Sequence, residues 1–513
     1  MKNFIEKHED KITGSLSCFD RVLFKGYLPI RDGKGMESFM ASRGLLLKDF
    51  KGFVTVCSQV IKDHAHEVAQ KNGRPFIHLT ASKGKEGRAR LIAEQDRIDQ
   101  GLICVFSCIE QCQSFKLRYA KGRGKPRIVS AQPRCLCLYF YIMDREFGLM
   151  HVRIQTWFPF VVQIYVNGHE YLARKLNKYG IGYQQIENAF VRIDDLKRAQ
   201  RFADRFAHKN WPRILSSFAK RVNPLMKKLL KGMDYYWITE QAEYATDIMF
   251  SNPASLSLLY QKLLRHATVC FSAQDVMTFL GRKLHGNFKG DIGNIFKTRL
   301  PGARIKHRMK GNWIKMYNKH GCVLRIETVI NHPYEFRIRR RAKRKGKLVL
   351  GWYPMAKRVT NLFRYAEVSL MANNRYLEAL SAVDDPRQAY RILNRLCEPV
   401  IRDGRRTRGL NPLRKDDVRL FAAILQGEHF VNGFRNRDVA KALGICRSSD
   451  LRERRRRSAR VSRLLRLLRA HGLIAKIPRS RRYRLTLRGA TLMSAALYLR
   501  EEDFPAVIER MSA

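Results

Sequence analysis

A predicted strand near the middle of the chain combines a basic and an acidic side chain that could act together on a phosphate. The run 324–327 reads Leu-Arg-Ile-Glu and follows turn residues at 318–321, so the sequence predicts a hairpin over 312–330. Residues two apart on a strand share a face, which places Arg325 beside Glu327. A carboxylate that holds a divalent cation next to a guanidinium that holds a phosphate is suited to phosphoryl transfer.

The same hairpin resembles part of a family of DNA-processing enzymes. Residues 314–319 (IKMYNK) and 324–327 (LRIE) are similar to the Tyr-Asp/Asn-Lys and Leu-Arg-Ile-Glu pattern of rolling-circle replication initiators and relaxases. The resemblance covers this hairpin alone. It implies that Glu327 is a ligand of Mg²⁺ or Mn²⁺, His307 a second ligand or base, and Tyr317 the nucleophile. The alternative is a packed tyrosine and a glutamate paired with a cation on the next strand.

Other acidic residues offer a second catalytic scheme. Many transposases bind metal ions through a carboxylate cluster on a ribonuclease-H-like sheet, and the residues available for this are Asp20, Asp144, Glu146, Asp234 and Glu327. Their spacing does not single out three of them. The sequence has no phosphate-binding P-loop, no glycine-rich dinucleotide fingerprint after a strand and no zinc-protease motif, so these enzyme classes are set aside.

Cysteine and histidine spacing does not favour zinc. The chain has 11 cysteines, an odd number, and several lie in apolar runs such as 135–139, as expected for reduced, buried thiols of a cytoplasmic protein. Cys104, Cys108 and Cys112 are four residues apart, which is not the spacing of a structural zinc site. The pair His64 and His66 lies in a helical stretch and is expected at the surface.

Charge is the strongest feature of the composition. Lysine and arginine number 99 against 45 acidic residues, a net charge of +54. Such an excess makes the compact state repel itself unless a polyanion shares the surface. The charge is spread along the chain, the start has no signal peptide, and apolar runs are strand-length, so a membrane is not expected as partner. We expect the partner to be DNA, structured RNA or both.

Basic residues recur in the predicted sheet regions and are candidates for nucleic-acid contact. They lie at one hairpin tip, on the two outgoing strands with the Arg-Ile-Gln/Glu-Thr pattern, and in the strand pair that follows the second of these. The candidates are Lys121, Arg123, Lys125, Arg153, Arg325, Arg339, Arg340 and Arg341.

The hydrophobic patterns predict an α+β chain in which helices pack on antiparallel sheets. We expect an N-terminal α+β domain over 1–190, a helical segment and second sheet over 191–384, a linker rich in proline and glycine over 385–413, and a last domain over 414–513. The shared Arg-Ile-Gln/Glu-Thr strand would be explained by a duplicated half. Chance similarity of two ordinary hairpins is the alternative.

Residues 414–513 follow the order helix, helix, basic helix, hairpin, helix, which resembles the winged helix-turn-helix domains of bacterial transcription regulators. The resemblance implies that the basic helix and the hairpin, or wing, contact DNA. The arginines concerned are Arg454, Arg455, Arg456, Arg457, Arg460 and Arg463 in the helix and Arg479, Arg481 and Arg482 in the wing. The alternatives are a solvated arginine face and a module for protein contacts.

Along most of its length the chain is similar to an uncharacterised bacterial family associated with mobile elements, through residues 4–8, 16–26, the second hairpin and the C-terminal region. We therefore expect a nucleic-acid-binding protein of a mobile element that processes DNA by metal-dependent phosphodiester cleavage or transfer. The alternatives are a non-catalytic RNA-binding part of a ribonucleoprotein and a large winged-helix regulator.

The net charge predicts that binding depends steeply on salt. Each phosphate that a lysine or arginine neutralises releases counterions, so a protein that contacts about six to ten phosphates loses roughly 10³- to 10⁵-fold in affinity between about 50 and 200 mM salt. Fluorescence anisotropy of a labelled duplex at several NaCl concentrations measures this loss. An affinity that does not change with salt would contradict the prediction.

Overall fold

The protein is an α+β chain, as expected. The computed structural model describes residues 1–80, 84–119, 126–269, 271, 273–282, 292–299, 302–344, 346–381, 383, 396–402, 404–445, 450–478, 480–498 and 500. Within these ranges no helix combines the length and the apolar composition that crossing a bilayer requires.

The strands are numbered in chain order. They are β1 (Ile12–Tyr27), β2 (Phe76–Leu79), β3 (Gly101–Gln111), β4 (Ser114–Arg118), β5 (Arg127–Ala131), β6 (Arg134–Asp144), β7 (Gly148–Gln155), β8 (Val162–Asn167), β9 (Tyr183–Ile186), β10 (Ala189–Ile193), β11 (Tyr236–Phe250), β12 (Ile292–Arg299), β13 (Gly302–Met309), β14 (Asn312–Lys319), β15 (Val323–Ile330), β16 (Arg337–Arg344), β17 (Lys347–Pro354), β18 (Val400–Arg402), β19 (Arg405–Thr407), β20 (Ile474–Lys476) and β21 (Tyr483–Leu485).

The α-helices are numbered in the same way. They are α1 (Lys2–Lys7), α2 (Gly33–Ser42), α3 (Phe50–Lys71), α4 (Lys85–Gln95), α5 (Gly168–Lys178), α6 (Leu196–Ala207), α7 (Trp211–Val222), α8 (Pro253–Val269), α9 (Ala273–Phe279), α10 (Leu362–Leu380), α11 (Lys415–Ile424), α12 (Gly427–Asn432), α13 (Asn436–Ala442), α14 (Leu451–Ala470) and α15 (Leu487–Tyr498).

Eleven strands form one large sheet in the order β12-β13-β14-β15-β11-β1-β8-β7-β6-β3-β2. The expectation of purely antiparallel sheets is wrong at one end, because β2 pairs with β3 in parallel. The reason is the connection between them. A tight turn joins antiparallel neighbours, whereas β2 and β3 are joined through α4, and a crossover of that length returns the chain in the same direction.

The chain forms two compact units, both discontinuous in sequence. The first comprises Met1–Ser15, Thr246–Thr328 and Val368–Ala513, and the second Leu16–Ala245 and Val329–Glu367. The consecutive domains expected from the sequence stay a prediction about which parts of the chain fold independently.

Both predicted hairpins are present, as the pairs β6–β7 and β14–β15 of the large sheet. At the first turn Asp144 accepts hydrogen bonds from the backbone of Glu146 and Phe147. Gly148 and Gly321 have φ values of 66° and 77°, a region that glycine adopts at little cost. The polar and glycine residues that predict the two turns therefore form them in the structure. Duplication of a half remains a prediction.

Residues 415–498 have a hydrophobic core of their own. Helices α11, α13, α14 and α15 and the hairpin β20–β21 contribute to it, with Phe421, Leu465 and Met493 among its fully buried members. Leu396 and Leu410 belong to the same core, so the last part of the segment expected as a linker packs here. Its earlier part, 385–395, lies outside the described residues.

One glycine lets a helix begin directly against β1, the middle strand of the large sheet. Gly168 is the first residue of α5, and an added Cβ would lie 2.1 Å from the carbonyl oxygen of Phe19 on β1. Asn167 caps the helix by accepting hydrogen bonds from the backbone of His169 and Glu170. The close approach brings Asn167 and His169 to the neighbouring residue on β1, Asp20.

Replacing Gly168 by alanine is therefore expected to lower the thermal unfolding midpoint. The new Cβ would overlap the backbone of Phe19, so one of the two segments must shift, and overpacking of this kind lowers the free energy of unfolding by about 1–3 kcal/mol. Gly87→Ala is the matched control. Gly87 lies in α4 with open space around its Cα, so alanine there should leave the midpoint unchanged or raise it, being worth up to about 1 kcal/mol in a helix. Equal midpoints for the two variants in differential scanning fluorimetry would refute the packing argument.

Candidate functional site

Three acidic side chains come together on neighbouring strands of the large sheet. Asp20 lies on β1, Glu243 on β11 and Glu327 on β15, and these strands follow one another in the order β15-β11-β1. Each offers a carboxylate oxygen, and the three oxygens lie within 4.8 Å of one another. All three side chains are buried. This acidic triad could hold a metal ion, and oxygen ligands of this kind suit Mg²⁺ or Mn²⁺.

Asp20 is oriented by two amide side chains. Asn167 and Asn188 each donate a hydrogen bond from Nδ2 to its carboxylate, at 3.1 and 3.0 Å, and the Nδ1 atom of His169 lies 3.5 Å from Oδ1. An amide is neutral, so it fixes the direction of a carboxylate without cancelling its charge. The position of Asp20 is thus set by residues of the strand end at β8 and the turn before β10.

Both carboxylate oxygens of Glu327 are bound by residues of β14, the other strand of its hairpin. Lys315 Nζ lies 2.5 Å from one carboxylate oxygen, and the Tyr317 hydroxyl donates to the other at 2.5 Å. All three residues belong to β14 and β15, and Glu327 is 1% exposed. The pairing of Glu327 with a cation of the next strand, foreseen as the alternative to a metal ligand, is present. A metal ion would have to share this carboxylate with Lys315.

Glu243 was not among the candidates read from the sequence. It lies on β11, and the Nε2 atom of Gln241 donates to it at 2.6 Å. The segment 236–250 was not identified as a strand, although its later part, from Ala242, is buried throughout. An acidic residue within a mostly apolar run was the available signal, because a charged side chain is rarely buried without a partner or a ligand.

His307 does not join the acidic triad. Its Nδ1 atom lies 2.7 Å from Asn294 Oδ1 and its Nε2 atom 2.8 Å from the Tyr376 hydroxyl, so both ring nitrogens have partners. Burial lowers the pKa of His307 to about 4, which keeps the ring neutral near pH 7. His307 therefore lies apart from the acidic triad, with its ring facing Tyr376 on α10 and Asn294 on β12, and its expected role as a metal ligand or base stays a prediction.

Arg325 also differs from its expected role. Its side chain is fully buried, and Nε and Nη2 bind the two carboxylate oxygens of Asp247, each at 2.6 Å. A guanidinium held in this bidentate way and shielded from solvent cannot clamp a phosphate. The expectation of nucleic-acid contact by Arg325 is therefore corrected to a buried ion pair between β15 and β11.

Arg153, the corresponding residue of the first hairpin, is buried in the same manner. Its Nε atom lies 3.0 Å from Glu110, and Nη2 donates to the sulfur of Cys137 at 3.0 Å. Glu110 also binds Lys85 and Tyr139, both at 2.7 Å. Burial favours the neutral acid, yet the hydrogen bonds from Lys85 and Tyr139 and the charge of Arg153 lower the pKa of Glu110. Arg153 is thus a structural residue and not a nucleic-acid contact.

The other basic candidates that the structure describes are at or near the surface. Arg339, Arg340 and Arg341 are exposed on β16. The exposed members in and after the C-terminal helices are Arg454, Arg455, Arg456, Arg460, Arg463 and Arg481, while Arg457 and Arg482 are half-buried. Lys121, Arg123, Lys125 and Arg479 lie outside the described residues.

Helix α14 separates an apolar face from a basic one. Asp450 caps its start by accepting hydrogen bonds from the backbone of Arg452 and Glu453. Val461, Leu465 and Leu468 are buried in the hydrophobic core of residues 415–498. Arg456, Arg460 and Arg463 are exposed, are spaced by four and three residues, and lie along a different side of the helix, one turn before the buried Leu467. We call these three residues the arginine stripe.

The elements next to α14 are those expected from the sequence, but an additional short helix, α12, lies between the two helices predicted before it. The short helix α13 precedes α14 and packs on it, with Asn436 Nδ2 donating to Ser462 Oγ at 2.7 Å. The two-stranded hairpin β20–β21 and the helix α15 come after it. No protein-family model matches the chain, and comparisons with curated proteins and with solved structures likewise find no match.

Proposed function

We propose that this protein binds nucleic acid and that α14 contacts duplex DNA through the arginine stripe. The single observation that carries the proposal is the helix itself, which buries Val461, Leu465 and Leu468 while a row of three arginines along a different side stays exposed. An α-helix fits the major groove of B-form DNA, where arginines reach guanine edges and phosphates. Preceded by α13 and followed by the hairpin β20–β21, α14 would act as the recognition helix of a winged helix-turn-helix.

The charge of the whole chain supports the same partner. With a net charge of +54, long-range attraction would bring DNA to the protein, and the arginine stripe would then orient it. A structured RNA would satisfy the charge equally well. It would fit the helix less well, because the major groove of A-form RNA is too narrow for side chains to read.

We expect the triple variant Arg456→Ala, Arg460→Ala, Arg463→Ala to lose at least about tenfold in affinity for duplex DNA and to have a salt slope lower by about three, since up to three phosphate contacts are removed. Alanine preserves the helix. The matched control replaces Lys227, Lys228 and Lys231, three exposed lysines of the second unit, with alanine. Anisotropy measures both affinities, with duplex RNA of the same sequence alongside.

An equal loss in the control triple would mean that only the overall charge matters and would contradict a specific role of α14. A chain that prefers the RNA duplex would favour the alternative of a non-catalytic component of a ribonucleoprotein. Sequencing the nucleic acid that copurifies with the full chain separates these outcomes further.

A second candidate activity is metal-dependent cleavage or transfer of a phosphodiester bond, and the acidic triad is the observation that favours it. Carboxylates with oxygens within 4.8 Å of one another repel when they are ionised, and while Lys315 offsets the charge of Glu327, a divalent cation would offset that of the group. A cation so held neutralises charge that develops on phosphoryl oxygens. Mg²⁺ and Mn²⁺ are the ions we propose.

Tyr317 has a definable part in such a reaction. Its hydroxyl donates to Glu327, so this carboxylate could accept the phenolic proton as the phenolic oxygen bonds to phosphorus and the bond from phosphorus to the leaving sugar oxygen breaks. The same proton could then pass to the leaving oxygen. Lys315, on the other oxygen of Glu327, would compensate negative charge on the phosphoryl oxygens during this exchange.

The acidic triad predicts metal binding that Glu243→Gln abolishes. Mn²⁺ should raise the thermal unfolding midpoint of the wild type and give a stoichiometric signal in titration calorimetry, and both effects should be lost in this variant of nearly identical shape. Glu240→Gln is the matched control, because Glu240 lies on the same strand and pairs with Lys357. Labelled single- and double-stranded DNA is incubated in parallel with Mg²⁺ or Mn²⁺, and Tyr317→Phe tests for a covalent adduct.

Absence of Mn²⁺ binding to the wild type would show that the acidic triad is structural. Cleavage that persists in Glu243→Gln would place any active site elsewhere. Cleavage that is lost in Glu243→Gln but retained in Tyr317→Phe would indicate attack by water.

A further inference from the structure

Two strands of the second unit form a separate basic ribbon, which we define as β16 and β17, residues 337–354 without 345. They pair antiparallel in a two-stranded sheet of their own, from Arg337 opposite Pro354 to Arg344 opposite Lys347. At the base of the ribbon Ile338 is buried and the backbone of Met355 donates to that of Phe336 at 2.9 Å. The base of the ribbon is therefore held by a buried side chain and a backbone hydrogen bond.

The register divides the side chains of the ribbon into two faces. Residues directly opposite in an antiparallel pair share a face, and successive residues alternate. The outer face therefore carries four cations on one strand beside four apolar residues on the other: Arg337, Arg339, Arg341 and Lys343 next to Pro354, Trp352, Leu350 and Leu348. Every one of these eight residues is exposed.

The opposite face is different. It pairs Ile338 with Tyr353, Arg340 with Gly351, Ala342 with Val349 and Arg344 with Lys347. Ile338 is buried, Tyr353, Gly351 and Ala342 are half-buried, and the guanidinium of Arg340 lies 5.0 Å from the centre of the Tyr353 ring. The two faces thus differ in exposure and in the arrangement of their cations, although both are basic.

Exposed apolar side chains of this size call for an explanation. Leu348 is 67% exposed and Leu350 and Trp352 are each 54% exposed, and large apolar groups grouped at a surface mark an interaction site. The row of cations beside them selects the partner. A surface that is apolar along one edge and cationic along the other complements a polyanion that also displays apolar groups, which describes DNA bases with their phosphates.

We propose that the outer face of the basic ribbon binds in the major groove of duplex DNA. This groove is about 12 Å wide and admits a two-stranded ribbon, and thymine presents its methyl group there. The cationic row would contact phosphates and guanine edges, and Leu348, Leu350 and Trp352 would contact thymine methyl groups. The proposal rests on the proposed DNA binding and deepens it by naming a second contact surface and its groove.

The placement of Trp352 supports this orientation. The guanidinium of Arg364 lies 5.2 Å from the centre of its ring, and Nε of Arg364 donates to the carbonyl of Arg337 at 2.9 Å. Arg364 therefore holds the indole against the base of the ribbon while the ring stays exposed. A rigid aromatic group at a surface loses little conformational freedom on binding.

The charge test compares the two faces within the full-length protein. The outer-face variant is Arg339→Gln, Arg341→Gln, Lys343→Gln, and the control with the same change in charge is Arg340→Gln, Arg344→Gln, Lys347→Gln. We expect the outer-face variant to lose about tenfold or more in affinity for duplex DNA, with a salt slope lower by about three. The control should lose less than about threefold. Equal losses would overturn the assignment of a binding face.

The groove test uses the apolar row and the DNA itself. A duplex with uracil in place of thymine lacks the methyl groups of the major groove, so the wild type should bind it about threefold or more weakly than the thymine duplex. Leu350→Ser should discriminate less than the wild type, since Leu348 and Trp352 remain in place, whereas Val349→Ser, which changes an exposed residue of the opposite face, should discriminate as the wild type does. No discrimination by the wild type, or discrimination unchanged in Leu350→Ser, would overturn the proposal.

Comparison with the arginine-stripe variant separates the two proposals. If that variant loses binding while both ribbon variants bind like the wild type, the role of α14 stands and the ribbon proposal fails. If only the outer-face variant loses binding, the ribbon is the contact surface and the role of α14 fails. If the full-length protein binds no DNA at low salt, both fail.

Discussion

Burial of charge in the large sheet governs how this chain uses its acidic residues. An interior guanidinium or ammonium without a partner destabilises a protein by several kcal/mol, on the order of 3–5 when one member of a buried pair is removed. The chain has 99 basic residues and 45 acidic ones. Arg325 with Asp247, Arg153 with Glu110 and Lys315 with Glu327 show where acidic side chains are used inside the sheet. Each such pair leaves fewer acidic residues to balance the surface.

The surface cations follow from this arrangement. The exposed arginines of α14 and the outer face of the basic ribbon lie on elements whose other sides are held by apolar residues, Val461 and Leu465 in one case and Ile338 in the other. Their charge is directed to solvent, where a polyanion can approach. The acidic triad concentrates negative charge in a protein of opposite sign, and a divalent cation between that charge and a phosphate would reconcile the two.

The local features of the fold could be predicted from the amino-acid sequence. Turn residues placed both hairpins, the left-handed glycines 148 and 321 lie where those turns need them, and the helical spacing of apolar residues located the basic helix with its exposed arginines. These features depend on residues close together in the chain, whose alternation, capping and turn preferences act locally. Arg325 and Glu327 lie on one strand, as the pattern predicts. Lys315 is the cation on the neighbouring strand that was expected as the alternative partner of Glu327.

Which side chains meet depends on how the strands and helices pack in three dimensions. Glu243 belongs to the acidic triad because β11 lies between β1 and β15. His307 lies outside the triad, with its ring facing Tyr376. Arg325 is not accessible to a phosphate because it pairs with Asp247 on the adjacent strand. The parallel pairing of β2 with β3 and the eight-residue outer face of the ribbon likewise depend on strand order and register. Strand order and burial are set by contacts between residues far apart in the chain, which local spacing does not encode, since a shift of one residue in register exchanges the two faces of a strand.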